Sequence, residues 1–173
     1  MVILRKNGED VMPVFVTGGA GFLGSEICKK LSNERIFHTI YDREYPRFKG
    51  KYTNYVQGDI RDLERLIPAL KQHQIVIHLA AEWNDVGVPD YEYNTTNIDG
   101  TKNIADAAKS NNIESIIFAS STSVYEFEDD NYNAYRENDI AEKPSSIYGK
   151  TKIAGEDILR SWQSKSKSKN LKI

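Results

Sequence analysis

The sequence has one cysteine, no long apolar run and almost no excess of charge. Cys28 has no partner within the chain for a disulfide, which favours a reducing compartment, so we expect a cytoplasmic protein. The longest apolar runs, such as Ile116–Ala119, are far shorter than the roughly 20 residues of a transmembrane helix, so we expect no membrane partner. The net charge of −2 gives no reason to expect a nucleic-acid partner either.

What is present is the composition of a globular domain, with 39% hydrophobic and 28% charged residues in 173. Short apolar segments with strand character alternate with segments of helical periodicity along the whole chain. The predicted strands are Val14–Thr17, Ile36–Tyr41, Tyr52–Gln57, Ile75–Leu79 and Ile113–Ser120. The predicted helices cover Phe22–Leu31, Leu63–Leu70, Asn97–Lys109 and Ser146–Trp162. This alternation predicts an α/β fold, a Rossmann-type doubly wound parallel sheet.

A glycine-rich segment, Thr17–Gly24, lies between the first predicted strand and the first helix. The spacing Gly18-x-x-Gly21-x-x-Gly24 allows a tight turn and a close approach of the backbone to a ligand. The exposed N–H groups and the dipole of the helix then face a pyrophosphate. The strand-turn-helix context therefore predicts a dinucleotide site.

Two carboxylates follow the next strands. Asp42 ends the second predicted strand, where it can accept hydrogen bonds from the ribose hydroxyls and repel a 2′-phosphate, which favours NAD over NADP. The neighbouring Arg43 could offset that repulsion. Asp59 follows the third strand, where it could reach the adenine or could be a turn residue.

Tyr148 and Lys152 are four residues apart, so on a helix their side chains share a face. A tyrosine is a poor base at neutral pH because its ordinary pKa is about 10, and a neighbouring ammonium favours the phenolate. Ser120–Ser123 follows the fifth predicted strand, at the edge where ligands bind in such sheets. A hydroxyl there can bind the substrate oxygen that Tyr148 protonates and deprotonates.

Seven segments in this order resemble the extended short-chain dehydrogenase/reductases, in particular the NAD-dependent sugar-nucleotide epimerase/dehydratase family with UDP-glucose 4-epimerase-like members. The segments are TGGAGFLG (17–24), Asp42, GDIRD (58–62), HLAA (78–81), NIDGT (97–101), FASSTSVY (118–125) and YGKTK (148–152). The resemblance implies NAD as cofactor and a nucleotide-sugar substrate. It implies that Tyr148 and Lys152 contact the cofactor. The other residues of the implied cofactor site are Gly18, Gly21, Phe22, Leu23, Gly24, Asp42, Asp59, Ile60, Leu79, Ala80, Ala81 and Asn97.

The same resemblance implies a catalytic trio of Ser121, Tyr148 and Lys152. Tyr148 would take the proton of a sugar hydroxyl, Lys152 would bind the nicotinamide ribose, and Ser121 would orient the hydroxyl. The sequence departs from the family's dehydratases and decarboxylases, which carry a carboxylate directly before the Val-Tyr and often another beside it. Thr122 and Ser123 stand at these positions here, which favours an epimerase-like or simple redox reaction. Glu126 also replaces the usual glycine after Val-Tyr, so the loop over Glu126–Ser145 is expected to differ.

The resemblance also implies a domain organisation for the chain. Residues 1–11 are predicted to be an N-terminal leader, and residues 12–173 an NAD(P)-binding Rossmann domain that is incomplete at its C-terminal end. The fifth strand is then expected to have an exposed edge. The alternative function is a catalytically incompetent NAD-binding fragment or a module completed by another chain, whereas Asp42 disfavours an NADP-dependent reductase. A homodimer paired through Asn97–Lys109 and Ser146–Trp162 is a further expectation.

The histidines indicate no metal site, because their spacing does not form a ligand cluster. His78 follows an apolar strand and is expected to be packed or adjacent to the cofactor, rather than to act as a base. Cys28 is expected to face the core from the first helix.

Overall fold

The computed structural model describes residues 4–6, 9–84, 87–125, 144–165 and 169–173. Most of the predicted loop Glu126–Ser145, including Glu126 itself, lies outside these residues. Within the predicted leader, β1 (Leu4–Lys6) and β2 (Glu9–Val11) pair as an antiparallel hairpin.

A separate sheet of six parallel strands forms the centre of the domain. The strands are β3 (Val14–Thr17), β4 (His38–Asp42), β5 (Thr53–Gln57), β6 (Ile75–His78), β7 (Ser115–Phe118) and β8 (Asn170–Lys172). Their order is β5-β4-β3-β6-β7-β8. This order confirms the predicted doubly wound sheet, with the switch in winding direction at β3, where ligands bind in such folds.

Within the described residues, five α-helices and two short irregular helices connect the strands. The α-helices are α1 (Phe22–Asn33), α2 (Leu63–Ala69), α3 (Asp90–Tyr93), α4 (Gly100–Ser110) and α5 (Ile147–Ser164). A π-helical turn, Asn94–Asp99, joins α3 to α4, and a 3₁₀ turn, Thr122–Val124, follows β7. Asp62 caps the N-terminus of α2, because its side chain accepts from the Arg65 N–H. Pro68 lies inside α2, which ends one residue later, at Ala69.

The predicted exposed edge of the fifth strand is wrong, because the end of the chain supplies a neighbour. After α5 the chain returns as β8, which pairs in parallel with β7 from Ser115↔Asn170 to Ile117↔Lys172. The side chain of Leu171 packs against the main core. Because β8 is only three residues long, periodicity in the sequence could not identify it.

The core has two parts, one on each face of the sheet. The larger lies under α2, α4 and α5 and includes Phe15, Leu66, Ile104, Ile116 and Leu159, all fully buried. The smaller lies under α1 and consists of Val14, Val16, Cys28, Ile40 and Ile77. Cys28 therefore faces the core, as predicted, and burial raises the pKa of its thiol to about 12.

His78 lies at the end of β6, fully buried in a chain of hydrogen bonds. Thr101 donates to the Asn97 carbonyl at 2.6 Å, so its oxygen accepts from Nε2–H of His78 at 3.0 Å. Nδ1 of His78 then accepts from the Thr17 hydroxyl at 2.7 Å, and the Thr17 oxygen accepts from the Ala80 N–H at 3.3 Å. The imidazole is thus neutral and packed, as expected for a structural histidine.

This burial predicts acid sensitivity. Desolvation, with the charge of Lys152 as a smaller cause, lowers the pKa of His78 from 6.5 to about 3. Between these values the unfolded chain binds the extra proton, so the free energy of unfolding falls as the pH drops below 6.5, by about 1.4 kcal/mol per unit for this residue. Urea unfolding at several pH values from 7 to 5 measures the slope. His78→Gln is expected to be less stable at pH 7 but to have the smaller slope, and equal slopes would contradict the prediction.

Candidate functional site

A cleft of about 710 Å³ opens at the carboxyl ends of β3, β4, β5 and β6. Its walls are the glycine-rich turn, the segments that follow β4, β5 and β6, and the side of the π-helical turn that carries Thr96. Eleven residues of the predicted cofactor site line it, namely Gly18, Gly21, Phe22, Leu23, Gly24, Asp42, Asp59, Ile60, Leu79, Ala80 and Ala81. The other three, Asn97, Tyr148 and Lys152, are not among its lining residues.

Backbone atoms in the glycine-rich turn approach one another so closely that a side chain on Gly18 or Gly24 would clash with them. Gly18 has φ +70°, and a Cβ there would lie 2.6 Å from the backbone nitrogen of Ala80. A Cβ on Gly24 would lie 2.1 Å from the carbonyl oxygen of Gly18. The first turn of α1 therefore packs directly on the end of β3, and the start of α1 faces the cleft. This cradle fits the pyrophosphate of a dinucleotide, which backbone N–H groups and the helix dipole would stabilise.

Asp42 joins the turn to the end of β4. Its Oδ2 accepts from the Ala20 N–H at 2.9 Å and its Oδ1 from the Glu44 N–H at 3.0 Å. The carboxylate is therefore fixed in orientation at the wall of the cleft, where ribose hydroxyls would approach. Arg43 also lines the cleft, and its carbonyl accepts from the Gln57 side chain at 3.0 Å.

Asp59 lies in the turn that follows β5, and it also lines the cleft. It accepts from the backbone N–H of Arg61 at 2.9 Å, and the Arg61 guanidinium binds both of its oxygens. Burial acts to raise the pKa of Asp59, but the hydrogen bonds and charge of Arg61 outweigh it and hold the pKa below its ordinary value. The same guanidinium reaches Glu92 of α3 at 2.9 Å. This network links the segment after β5 to α3.

Lys152 connects α5 to the end of β7. Its ammonium donates to the Ala119 carbonyl at 2.8 Å and lies 4.8 Å from the centre of the Phe118 ring and 5.6 Å from that of Tyr148. Only 3% of Lys152 is exposed, and this burial lowers its pKa to about 8. At neutral pH the site thus holds a positive charge beside the tyrosine ring, as the four-residue spacing predicts.

Ser121 lies two residues beyond Ala119 and caps the 3₁₀ turn. Its oxygen accepts from the Ser123 N–H at 3.1 Å, and its hydroxyl donates to the Ser123 hydroxyl at the same distance. Lys152 binds the carbonyl of Ala119, so it contacts the backbone two residues before Ser121. The three residues of the predicted trio are thus carried by α5 and the segment after β7.

Two contacts at this junction are not evident from the sequence. A Cβ on Gly149 would lie 2.1 Å from the Ser123 carbonyl oxygen, so glycine allows α5 to pack directly on the 3₁₀ turn. Ser120 donates to Glu156 of α5 at 2.5 Å, one helical turn after Lys152. Gly149 and Ser120 lie inside the matched motifs, which is the signal that could have pointed to them, whereas Glu156 lies outside every matched motif.

Asn97 is not among the residues that line the cleft, and its side chain is hydrogen-bonded within the chain. Its side-chain oxygen accepts from the Glu82 N–H at 2.7 Å, and its amide donates to the Glu82 carbonyl at 2.9 Å and to the Thr151 hydroxyl at 3.0 Å. Both amide hydrogens are therefore used within the chain. Asn97 ties the segment after β6 to α5, and its contact with the cofactor stays a prediction.

Within the described residues, no three or more His, Cys, Asp or Glu side chains lie together in a group that could hold a metal ion. Across the same part of the chain no helix is both long and apolar enough to cross a bilayer.

Sequence comparison agrees with the geometry. The profile of the NAD dependent epimerase/dehydratase family matches residues 14–171. The chain is 31% identical over 153 residues to N-acetyl-alpha-D-glucosaminyl-diphospho-ditrans,octacis-undecaprenol 4-epimerase of Escherichia coli O157:H7, covering 88% of this chain and 44% of that protein. It is 35% identical over 129 residues to a UDP-glucose 4-epimerase of Klebsiella pneumoniae, covering 66% of this chain and 92% of that sequence.

Among solved structures, MoeE5 in complex with UDP-glucuronic acid and NAD superposes with a TM-score of 0.82 and 30% identity, over 92% of this chain and 52% of MoeE5. The chain thus spans about half the length of MoeE5 and of the Escherichia coli protein. The profile match covers all but the last residue of the six-stranded sheet and both halves of the site, so the chain belongs to the NAD-dependent epimerase/dehydratase family.

Proposed function

We propose that this chain binds NAD and carries the acid-base group of a sugar-nucleotide epimerase-like oxidoreductase. The observation that carries the proposal is the buried ammonium of Lys152. It lies 5.6 Å from the centre of the Tyr148 ring and donates to the Ala119 carbonyl after β7, in a chain whose separate cleft has the form of a dinucleotide site. Family membership and the NAD in the MoeE5 complex support the same cofactor.

The residues of the cleft fit NAD. The close backbone contacts of Gly18 and Gly24 pack the glycine-rich turn against the start of α1 and the segment after β6, so that backbone N–H groups at the start of α1 would face a pyrophosphate. The Asp42 carboxylate, held by two backbone N–H groups, would accept hydrogen bonds from the ribose hydroxyls and repel a 2′-phosphate. Bound NAD would supply the hydride acceptor for the reaction.

Side chains of this protein would carry out the proton transfer. Tyr148 would take the proton of a sugar hydroxyl, and the ammonium of Lys152 would stabilise the resulting phenolate in a site with little water. Ser121, at the same strand end, would hold the substrate oxygen. Return of the proton by Tyr148, with hydride returned to the opposite face, would invert the sugar centre.

The residues after Ser121 favour epimerisation over dehydration. Thr122 and Ser123 form the 3₁₀ turn, and neither carries a carboxylate that could remove a neighbouring proton or protonate a departing hydroxyl. The proposed substrate is a sugar nucleotide, since MoeE5 was solved with UDP-glucuronic acid.

A second candidate function is an NAD-binding module that another chain completes. It is favoured by the chain's length, about half that of MoeE5 and of the Escherichia coli relative. Calorimetric titration with NAD, followed by incubation with a panel of UDP-sugars, separates the two. NAD binding with epimerised product supports the enzyme, NAD binding without turnover supports the module, and failure to bind NAD overturns both.

Tyr148→Phe tests the acid-base group. Because the phenol hydroxyl would carry the proton, we expect turnover to fall by roughly 10²- to 10⁴-fold while NAD affinity stays close to that of the unmodified chain. Tyr91→Phe, at an exposed position of α3, is the matched control and should keep full turnover. Reduction of NAD on addition of the sugar nucleotide, followed by absorbance, measures the effect without a product assay. Equal rates in both variants would exclude Tyr148 as the base.

Lys152→Met tests the buried charge. The pKa of Lys152 is about 8 in the folded chain against an ordinary 10.5, so between these values the unfolded chain binds more protons. The free energy of unfolding should therefore rise with pH across this window, by up to about 1.4 kcal/mol per unit for this residue. The methionine variant should lack that rise, whereas Lys150→Met, at an exposed position of the same helix, should retain it. Denaturant unfolding at pH 7.5 to 9.5, a range of roughly two units around the lowered pKa, gives the comparison.

Asp42→Asn tests the choice of cofactor. Removal of the charge weakens repulsion of a 2′-phosphate, so the preference for NAD over NADP should shrink by about tenfold or more, equivalent to roughly 1.4 kcal/mol. Glu44→Gln removes a charge from the same wall of the cleft but not the group that binds Ala20, and it should preserve the preference. Calorimetric affinities for both dinucleotides measure the ratio. An unchanged ratio in Asp42→Asn would show that other residues set the specificity.

A further inference from the structure

The largely buried carboxylate of Glu156 on α5 binds the segment that follows β7. Its side chain is 14% exposed. Oε1 accepts from the Ser120 hydroxyl at 2.5 Å, and Oε2 accepts from the Arg160 guanidinium at 3.3 Å. A hydrogen bond to a charged group is stronger than one between neutral groups, so the bond from Ser120 holds its position firmly. Taking a charge out of water costs free energy, and the reaction proposed above gives this carboxylate no role.

Two successive residues after β7 are held by the same face of α5. Lys152 and Glu156 are four residues apart, so their side chains share a helical face. The ammonium of Lys152 donates to the Ala119 carbonyl at 2.8 Å, and the carboxylate of Glu156 accepts from the next residue, Ser120. Because hydrogen bonds are directional, two of them at adjacent residues fix the orientation of the backbone as well as its distance from the helix.

The glycines of α5 determine how closely the helix approaches this segment. A Cβ on Gly149 would lie 2.1 Å from the Ser123 carbonyl oxygen, and a Cβ on Gly155 would lie 3.0 Å from the Phe118 ring. Such steric contacts limit the distance between two backbones, but they do not select the direction of a carbonyl or a hydroxyl. The orientation of the residues between Phe118 and Ser123 therefore depends on the hydrogen bonds that α5 makes to them.

The bond to Ser120 also determines the direction of Ser121. The backbone of Ser121 is extended, with φ −154° and ψ 151°, and successive side chains of an extended chain point to opposite sides. Because Ser120 points to Glu156, the Ser121 side chain is directed away from that carboxylate, and its hydroxyl reaches Ser123 at 3.1 Å. The two serines thus differ, since the first anchors the segment and the second belongs to the predicted trio.

We propose that Glu156 is a positioning residue of the acid-base site, which acts through Ser120 to orient Ser121 and the carbonyl that binds Lys152. The inference rests on the proposed function and extends the trio by a residue that does not line the cleft. Burial lowers the pKa of Lys152 without an opposing effect from a carboxylate, so a role of Glu156 as counter-ion of the ammonium is not supported.

Glu156→Leu, which removes the acceptor but keeps a side chain of similar size, tests this role in the full chain. We expect kcat with a UDP-sugar to fall by roughly tenfold or more, because small displacements of positioning groups are costly for the reaction. KM and the dissociation constant of NAD should change little. Glu156→Gln keeps an acceptor oxygen for Ser120 and should recover most of kcat. Asp157→Asn, at the exposed neighbouring position, is the matched control.

Ser120→Ala tests the route of the effect and does not remove the buried carboxylate. If Glu156 acts through Ser120, this variant should lose kcat by a similar factor, and the double variant with Glu156→Leu should lose no more than either single one. Steady-state kinetics measures kcat and KM, calorimetry measures NAD affinity, and thermal unfolding checks that each variant is folded. If Glu156→Leu does not fold, Ser120→Ala decides the outcome together with Glu156→Gln.

Unchanged kcat in Glu156→Leu or in Ser120→Ala overturns the inference and leaves the proposed function standing. Additive losses in the double variant also overturn it, because they show that Glu156 does not act through Ser120. A parallel loss of kcat and NAD affinity, or a glutamine variant no better than leucine, indicates a general structural effect and has the same consequence. An unmodified chain that binds NAD without turnover overturns the inference together with the proposed enzyme.

Discussion

The cleft depends on one steric constraint, the contact between the backbones of Gly18 and Ala80. A Cβ at Gly18 would lie 2.6 Å from the Ala80 nitrogen, and the positive φ of Gly18 turns the chain away from β3 just at that point. The Thr17 side chain reinforces the contact, since its oxygen accepts from the Ala80 N–H and its hydroxyl donates to buried His78. The ends of β3 and β6 are thereby held together, and the cleft opens above them.

The chemistry of the site depends on a second close approach, that of α5 to the segment after β7. Gly149 lets the helix touch the Ser123 backbone, and Lys152 is then buried against Ala119. Burial destabilises the charged form of Lys152, and this lowers its pKa. The same burial strengthens the electrostatic effect of the ammonium on the neighbouring ring of Tyr148. A charge with this influence could not exist on the exposed face of the helix, where water and salt would screen it.

The local signals of the sequence were sufficient for most of the fold and for half of the site. Continuous apolar runs predicted β3 and β6, because strands covered on both faces need no polar alternation. The glycine spacing predicted the turn of Gly18 because few residues tolerate its positive φ. Periodicity did not find β8, since Asn170–Lys172 is too short to carry a pattern, and without it β7 was wrongly expected to have an open edge.

By itself, then, the sequence determined the α/β class, the glycine-rich turn, the carboxylate of Asp42 and the shared helical face of Tyr148 and Lys152. These are properties of neighbouring residues, set by backbone sterics and helical geometry. Only the tertiary structure decided that β8 pairs with β7 and that Lys152 is buried. Each of these depends on segments far apart in the chain, since whether an edge is covered or a charge is screened depends on what folds against it.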